Sequence, residues 1–420
     1  MNDLYSIKIS AIWATLKEER ASFWLICIYL LLEYVRPQSL FPEIDILPFA
    51  LITLILALVA YFLEGNQQRT RNPENKLLII FFLVIILSSS FAYSPQTSFS
   101  GLSLFLSWMV VYFLITNIVN TEKKFLMFFL SFLLYNFKMS QHGFISWAQN
   151  GFAFRNWGVT GAPGWFQNSG EFGIELCLFL PLSIYFVHSL RSHWGRLKLA
   201  FFALLPFTAA ASVIATSSRG ALLGALAALL WMVLKSKAKL VALVMIGIVV
   251  MGAYAYLPPE SYARLRASGE DNTSVARLTR WKAGLEIMEQ FPGLGIGYRN
   301  WSQYYGDVYA PNDNASLLPH NIFIEAGSEL GYSGLCVYLL MILYTLVNNR
   351  RTRKLAPVAE NKFIYYTAHG LDAALIGFLV SGFFVTVLYY PYFWINMSFT
   401  VALNNIANRQ NAERSETASS

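Results

Sequence analysis

Apolar runs separated by short polar loops recur from one end of the chain to the other. They cover Ser22 to Tyr34, Ile46 to Leu63, Leu77 to Tyr93, Leu102 to Val119, Phe125 to Gln141 and Phe172 to Leu190. They continue with Leu197 to Ala215, Ala221 to Leu234, Leu240 to Tyr256, Tyr332 to Val347, Ala368 to Tyr389 and Tyr392 to Ile406. A helix rising about 1.5 Å per residue needs roughly 20 apolar residues to cross a hydrocarbon core of about 30 Å, and most of these runs approach that length. The pattern predicts an all-α polytopic membrane protein with about twelve transmembrane helices. Ahead of the first run, Leu4, Ile7, Ile12, Trp13 and Leu16 recur at helical spacing among Lys8, Lys17 and Arg20. That stretch predicts an amphipathic helix on the membrane surface rather than a secretory signal, since no small-residue cleavage site follows.

A long polar interruption extends from Leu257 to His320. Within it Val275, Leu278, Trp281, Leu285 and Met288 recur every three or four residues, predicting an amphipathic helix that rests on the bilayer or on the spans below. The following Pro292-Gly293-Leu294-Gly295-Ile296-Gly297 reads as a tight turn. No strand precedes it and no Lys-Ser/Thr pair follows, so it is not a phosphate loop.

Composition sharpens the class. With 56% hydrophobic and 13% charged residues in 420, a soluble domain is excluded. The net charge of +7 would suit nucleic acid, but most basic residues stand in short loops between apolar runs, as membrane proteins use them to fix orientation. The bilayer, not nucleic acid, is the expected partner. An even number of spans puts both termini on one side, and the positive-inside rule makes that side the cytoplasm and puts the long interruption outside. Cys27, Cys177 and Cys336 all lie in apolar runs, which excludes a disulfide framework or a CxxC metal site. No repeat of fixed period is present, which weighs against a transporter built from repeated halves.

Three outward-facing pieces carry candidate chemistry. In Ser217-Ser218-Arg219-Gly220 the serines can cap the following helix, and Arg219 beside its free N–H groups suits an anion. Arg277 and Arg280 stand one turn apart in the interruption, and His320 closes it within Pro319-His320-Asn321. An imidazole with an ordinary pKa of about 6.5 can accept a proton near neutrality. Glu171 and Glu175, one turn apart at the outer end of a span, either bind sugar hydroxyls or pair structurally. Arg155 in the loop before them, together with Tyr298 and Asn321, completes the candidate substrate contacts. Glu33 with Arg36 reads as a structural pair, and Asp372 and His369, near the inner end of a late span, read as structural. Glu43 and Asp45 are the acids that a metal-dependent alternative would use, although two acids in a short loop are ordinarily just solvated.

Ser217-Ser218-Arg219-Gly220-Ala221, Arg280-Trp281 ahead of the glycine-rich turn, and Pro319-His320-Asn321 with Glu329 and Gly331 together resemble the shared domain of the bacterial O-antigen ligase and polymerase family. The resemblance covers roughly Phe172 to Tyr389. Tyr34-Val35-Arg36-Pro37-Gln38 is similar to the O-glycosylation ligase branch associated with exosortase systems. The resemblance implies a membrane glycosyltransferase of the GT-C type with a helical periplasmic lid, multi-pass in the bacterial inner membrane. It implies transfer of a glycan from undecaprenyl diphosphate to an acceptor hydroxyl on lipid A core, a protein or another glycan, with inversion and with neither metal nor other cofactor. Arg219 and Arg280 would hold the diphosphate, Arg277 would stand in for Arg280, and His320 would act as base. A polymerase would use the same residues, whereas a non-enzymatic carrier of lipid-linked glycans would use the arginines to attract phosphate, break no bond and function without His320. The implied organisation is an N-terminal transmembrane region over residues 1–150, a ligase-like domain over 151–407 that includes the loop 257–320, and a disordered cytoplasmic tail over 408–420.

Overall fold

The computed structural model describes residues 1–41, 43, 46–65, 70–153, 158–236, 239–240, 247, 272–311 and 318–419. Among the described residues the chain is helical and contains no strand. The amphipathic start forms α1 (Asn2–Tyr5) and α2 (Ile9–Glu18). They are followed by α3 (Ala21–Tyr34), the single turn α4 (Pro37–Leu40), α5 (Phe49–Leu63), α6 (Pro73–Ser90), α7 (Pro95–Ile118) and α8 (Glu122–Gln149). Then come α9 (Ser169–Leu190), α10 (Arg196–Ala215) and α11 (Arg219–Lys235). The interruption contributes α12 (Asn272–Gln290) and α13 (Trp301–Val308), and the chain ends in α14 (Ile322–Leu355), α15 (Lys362–Gly382) and α16 (Pro391–Ser419).

Six helices among the described residues are long and apolar enough to cross a membrane: α6, α7, α9 with its 3-10 extension to His193, α10, α14 and α15. The expected span Leu240 to Tyr256 lies almost wholly outside the described residues. Helix α9 packs against α10, α11 and α15, and 78% of its apolar stretch is buried, against 33% for α10. It is the centre of the bundle. The outer helices leave Ile55, Leu83, Leu87, Phe201, Phe207, Leu222 and Leu226 exposed, an apolar belt that a water-soluble fold would have to cover. Cys27 and Cys177 are buried in the core, while Cys336 is exposed on α14.

Three elements depart from the sequence-based expectation. Helix α15 stops at Gly382 although the apolar run continues to Tyr389, because Phe383 to Tyr390 leaves the helix to bond with side chains elsewhere before Pro391 starts α16. On α12 the side chains of Val275, Leu278 and Leu285 are exposed, whereas Ala283, Gly284, Ile287 and Met288 face the protein. Glycine at 284 lets the helix approach Ile324 and Trp301 too closely for a larger residue, and this fixes which face turns inward. Helix α16 runs to Ser419, so the segment after residue 408 is not a disordered tail. Arg414 pairs with Glu360, and Gln410 donates to Glu122 at 2.6 Å.

Helix α14 is two helices joined at a kink. Gly331 has φ 67° and ψ −174°, so Ile322 to Leu330 forms a short helix at the mouth of the bundle and the longer segment follows. The glycine-rich turn docks into this kink. Ile296 N–H donates to the Ser328 carbonyl at 2.9 Å, Gly297 N–H to the Glu329 carbonyl at 3.0 Å and Tyr332 N–H to the Pro292 carbonyl at 2.8 Å. It is the tight turn that its sequence predicts, and it ties α12 and α13 to α14.

Candidate active site

The ends of α3, α6, α8, α10 and α15 and the starts of α7, α9, α11, α14 and α16 meet at one end of the bundle. Tyr93 N–H bonds to the Ile296 carbonyl at 2.8 Å, Arg36 to the Pro163 carbonyl at 2.8 Å, and Val159 N–H to the Ala215 carbonyl at 3.0 Å. Arg219 opens α11 at this end. Ser218 caps the helix, its Oγ accepting Ala221 N–H at 3.3 Å, and Ser217 turns the chain with φ 52°. The Ser217 hydroxyl is buried without a hydrogen-bond partner.

Arg277 and Arg280 lie on α12, half-buried, and α12 grips the strand of chain that carries His320. Arg280 Nη1 reaches the Leu318 carbonyl at 3.5 Å, and the indole N–H of Trp281 donates to the Pro319 carbonyl at 3.0 Å. His320 adopts φ 50°, a left-handed conformation that an L residue avoids unless its surroundings enforce it. Its N–H donates to Thr386 Oγ1 at 2.8 Å. Burial, then the positive charges of Arg277 and Arg280, lower its pKa to about 4. The two arginines and the imidazole therefore share one electrostatic environment, and the imidazole is neutral at physiological pH.

What joins Arg219 to this group is the segment Phe383 to Tyr390, which sequence reasoning assigned to a membrane span. Phe384 packs on Gly220, where a β-carbon would come within 2.8 Å of its own, and its ring meets that of Trp281 at 6.4 Å. Arg219 and Arg280 each adjoin a residue that touches this one aromatic side chain. Further along, Thr386 holds His320, Leu388 N–H donates to Glu325 at 3.2 Å, and the Tyr389 hydroxyl donates to Glu329 at 2.9 Å. Glu329 also accepts Arg299 N–H at 2.9 Å and Trp301 N–H at 3.1 Å. Hydropathy alone does not advertise this role in the run Phe383 to Leu388. The signal available was Thr386, a polar residue in an apolar run, together with Pro391, which marks a helix start.

The remaining candidates are placed otherwise. Glu171 completes a capping box with Asn168 and accepts the Tyr390 hydroxyl at 3.0 Å, so both oxygens serve the fold. Glu175 is 1% exposed in the bundle core and faces no open surface. Asn321 caps α14, its Oδ1 accepting Phe323 N–H at 2.9 Å and Ile324 N–H at 3.2 Å. Tyr298 is fully buried, stacked edge-on to Tyr389 with its hydroxyl on the Gly101 carbonyl at 3.2 Å. These four shape the wall behind the site rather than its lining, because cap and core positions take their side chains away from the opening. Arg155 and Asp45 lie outside the described residues. Among the described residues no group of three or more His, Cys, Asp or Glu is arranged to hold a metal ion. Asp372 forms a structural ion pair with Arg353 at 2.7 Å, and His369 contacts the Tyr365 ring.

Residues 201–339 match the family model for O-antigen ligase. The chain carries an O-antigen ligase domain. The matched stretch contains Arg219, Arg277, Arg280, His320 and Glu329, while the connecting segment Phe383 to Tyr390 falls beyond it. No curated protein matches the chain. The helical bundle with its apolar outer belt and the O-antigen ligase domain make this a membrane enzyme of the ligase and polymerase type.

Proposed function

We propose that this O-antigen ligase domain transfers a glycan from a lipid diphosphate, in bacteria undecaprenyl diphosphate, to an acceptor hydroxyl at the periplasmic face of the inner membrane. The observation that carries the reading is the grouping of Arg277 and Arg280 around a neutral His320 where the chain returns to the bundle. A diphosphate is already a good leaving group. The catalytic need is fixed positive charge where negative charge accumulates as the sugar–phosphate bond breaks. Guanidinium groups meet that need because they remain protonated when half-buried and grip phosphate oxygens in pairs. Arg219 contributes from the start of α11, where free N–H groups add to the attraction for an anion.

His320 accepts the proton of the acceptor hydroxyl as that oxygen attacks the anomeric carbon from the side opposite the diphosphate, which inverts the centre. With guanidinium groups neutralising the leaving group, the proposed step uses no metal. Helices α3, α5, α8, α11 and α16 would add five spans to the six long apolar helices, in keeping with a GT-C-like bundle of about twelve, the expected span Leu240 to Tyr256 lying almost wholly outside the described residues. The donor glycan, the acceptor and the branch of the family belong to the same proposal.

The test is reconstitution in liposomes with a synthetic lipid-diphosphate glycan and separate hydroxyl acceptors, with products read by mass. His320→Ala should lower transfer by about 100-fold to 10,000-fold while the protein stays folded. Arg219→Ala and Arg280→Ala should abolish detectable transfer, and EDTA should leave the native enzyme unaffected. Undiminished transfer in His320→Ala and Arg219→Ala would remove the site from this reading.

A further inference from the structure

A second basic site lies on the same end of the bundle, on the other side of the 158–168 loop from Arg219. A cavity of about 120 Å³ is bounded by Val35, Ser39, Lys138, Met139, His142 and the turn Gly161 to Pro163. Lys138 and His142 stand one turn apart on α8, so both reach the same void. Arg36 lies behind its wall. Its Nη1 is held by the Pro163 carbonyl at 2.8 Å, while its Nε is buried without a partner. No carboxylate lines the cavity. The acid nearest in sequence to Arg36 is Glu33, which is engaged by the Trp165 indole at 2.7 Å. Among the described residues Lys138 makes no ion pair or hydrogen bond.

A half-buried lysine with no anionic partner among the described residues suits an anionic ligand. Trp147 packs edge-on with Phe152 at the end of α8, in the manner of the aromatic residues that mark the bilayer interface. Lys138 precedes Trp147 by nine positions, roughly 13 Å along a helix, and the other walls of its cavity, Val35, Ser39 and Gly161 to Pro163, belong to turns and loops beyond the end of α3, so the cavity lies at the rim of the bundle. A lysine at that level reaches the headgroup zone, where a lipid phosphate lies. His142 and Ile145 are exposed, so the cavity opens on the outer, lipid-facing side of α8. A volume of about 120 Å³, against the roughly 10–15 Å³ that admits one water on the same measure, is ample for a phosphate.

We propose that Lys138 and His142, backed by Arg36, hold the phosphate of an anionic lipid in the leaflet that adjoins the candidate active site. Its place at the rim favours a phosphate carried on a lipid over a free ion, since the chains of a lipid can lie against Ile145, the apolar side chain exposed next to His142 on α8. The inference does not depend on the proposed transfer reaction, and it leaves Arg219, Arg280 and His320 to their own substrate.

The experiment is native mass spectrometry of the delipidated full-length protein in neutral detergent, titrated with phosphatidylglycerol or, in a separate arm, with inorganic phosphate. The native protein should retain one lipid that the Lys138→Met/His142→Gln double variant loses, with affinity for that lipid roughly tenfold weaker. Lys138→Arg, which keeps the charge, should retain the lipid. Equal thermal midpoints without lipid check that the variants are folded. Equal lipid retention by native protein and double variant overturns the proposal, as does loss of the lipid in Lys138→Arg. Displacement of the lipid by inorganic phosphate at millimolar concentration overturns the lipid assignment and leaves a site for a soluble anion.

Discussion

His320 sits where its surroundings keep it uncharged, and that has a kinetic consequence. A base must be neutral to act, so activity falls as pH drops through the pKa of the imidazole. In the free protein that value is about 4, held down by burial and by Arg277 and Arg280. When a diphosphate settles between the guanidinium groups its negative charge offsets theirs, and the pKa of His320 rises. The acid limb of kcat, which reports the bound complex, should therefore lie at higher pH than the acid limb of kcat/KM, which reports the free enzyme. Rates on reconstituted enzyme between pH 4 and pH 8 check this, the range being about that of an imidazole moved to either side of 6.5. Coincident limbs would show that the substrate's charge does not reach His320. His320, Arg219 and Arg280 stand out in the sequence as candidates because charge in or beside apolar runs needs a reason. Tyr298 and Asn321, expected as substrate contacts, bond backbone groups, and a polar side chain reveals such a partner only when the fold is known.

Elements, more than residues, decide how firmly the site is held. Glu329 is an acceptor for three donors, Arg299 N–H, Trp301 N–H and the Tyr389 hydroxyl, and so joins the glycine-rich turn, α13 and the Phe383 to Tyr390 segment to α14. A carboxylate can accept all three, whereas an amide must turn its NH2 toward at least one of them. Glu329→Gln should cost about 1–3 kcal/mol and free the turn. It should appear as a lower thermal midpoint and faster proteolysis near residue 300, with KM for the donor raised more than kcat is lowered. Gly295→Ala attacks the same joint from the other side. At φ 69° an L side chain is strained, and its β-carbon would meet the Ser328 carbonyl oxygen at 2.5 Å. A loss of at least about 1–2 kcal/mol is expected from the backbone alone. An unchanged midpoint in both variants would mean that the turn is not what positions α12. Helix periods and caps made α9 to α11 readable from sequence to within a few residues, whereas α8 runs to Gln149, past the expected end at Gln141. The end of α15 was not readable, because hydropathy cannot distinguish an apolar helix from an apolar segment whose backbone bonds to buried carboxylates.

The bundle has two chemically different ends. The candidate site, the glycine-rich turn and the aromatic segment occupy one. Lys76, Lys123, Lys124, Arg196, Lys235, Arg353 and Lys362 stand at the starts and finishes of helices at the other. Helices reverse direction between the ends, so one labelled position at each end fixes the orientation of every described span. The basic end should face the cytoplasm, since that is how short loops near spans are sorted. Lys282 is exposed on α12 beside the site, and Glu413 is exposed on α16 at the far end. In a Cys336→Ala background, where Cys27 and Cys177 are shielded by burial, Lys282→Cys should react with a membrane-impermeant maleimide in cells whose outer membrane alone is opened. Glu413→Cys should react only after the inner membrane is breached. The reverse pattern would put Arg280 and His320 in the cytoplasm, where the proposed donor, after export, would never meet them. Because this readout needs no substrate and no activity, it tests the orientation separately from the chemistry.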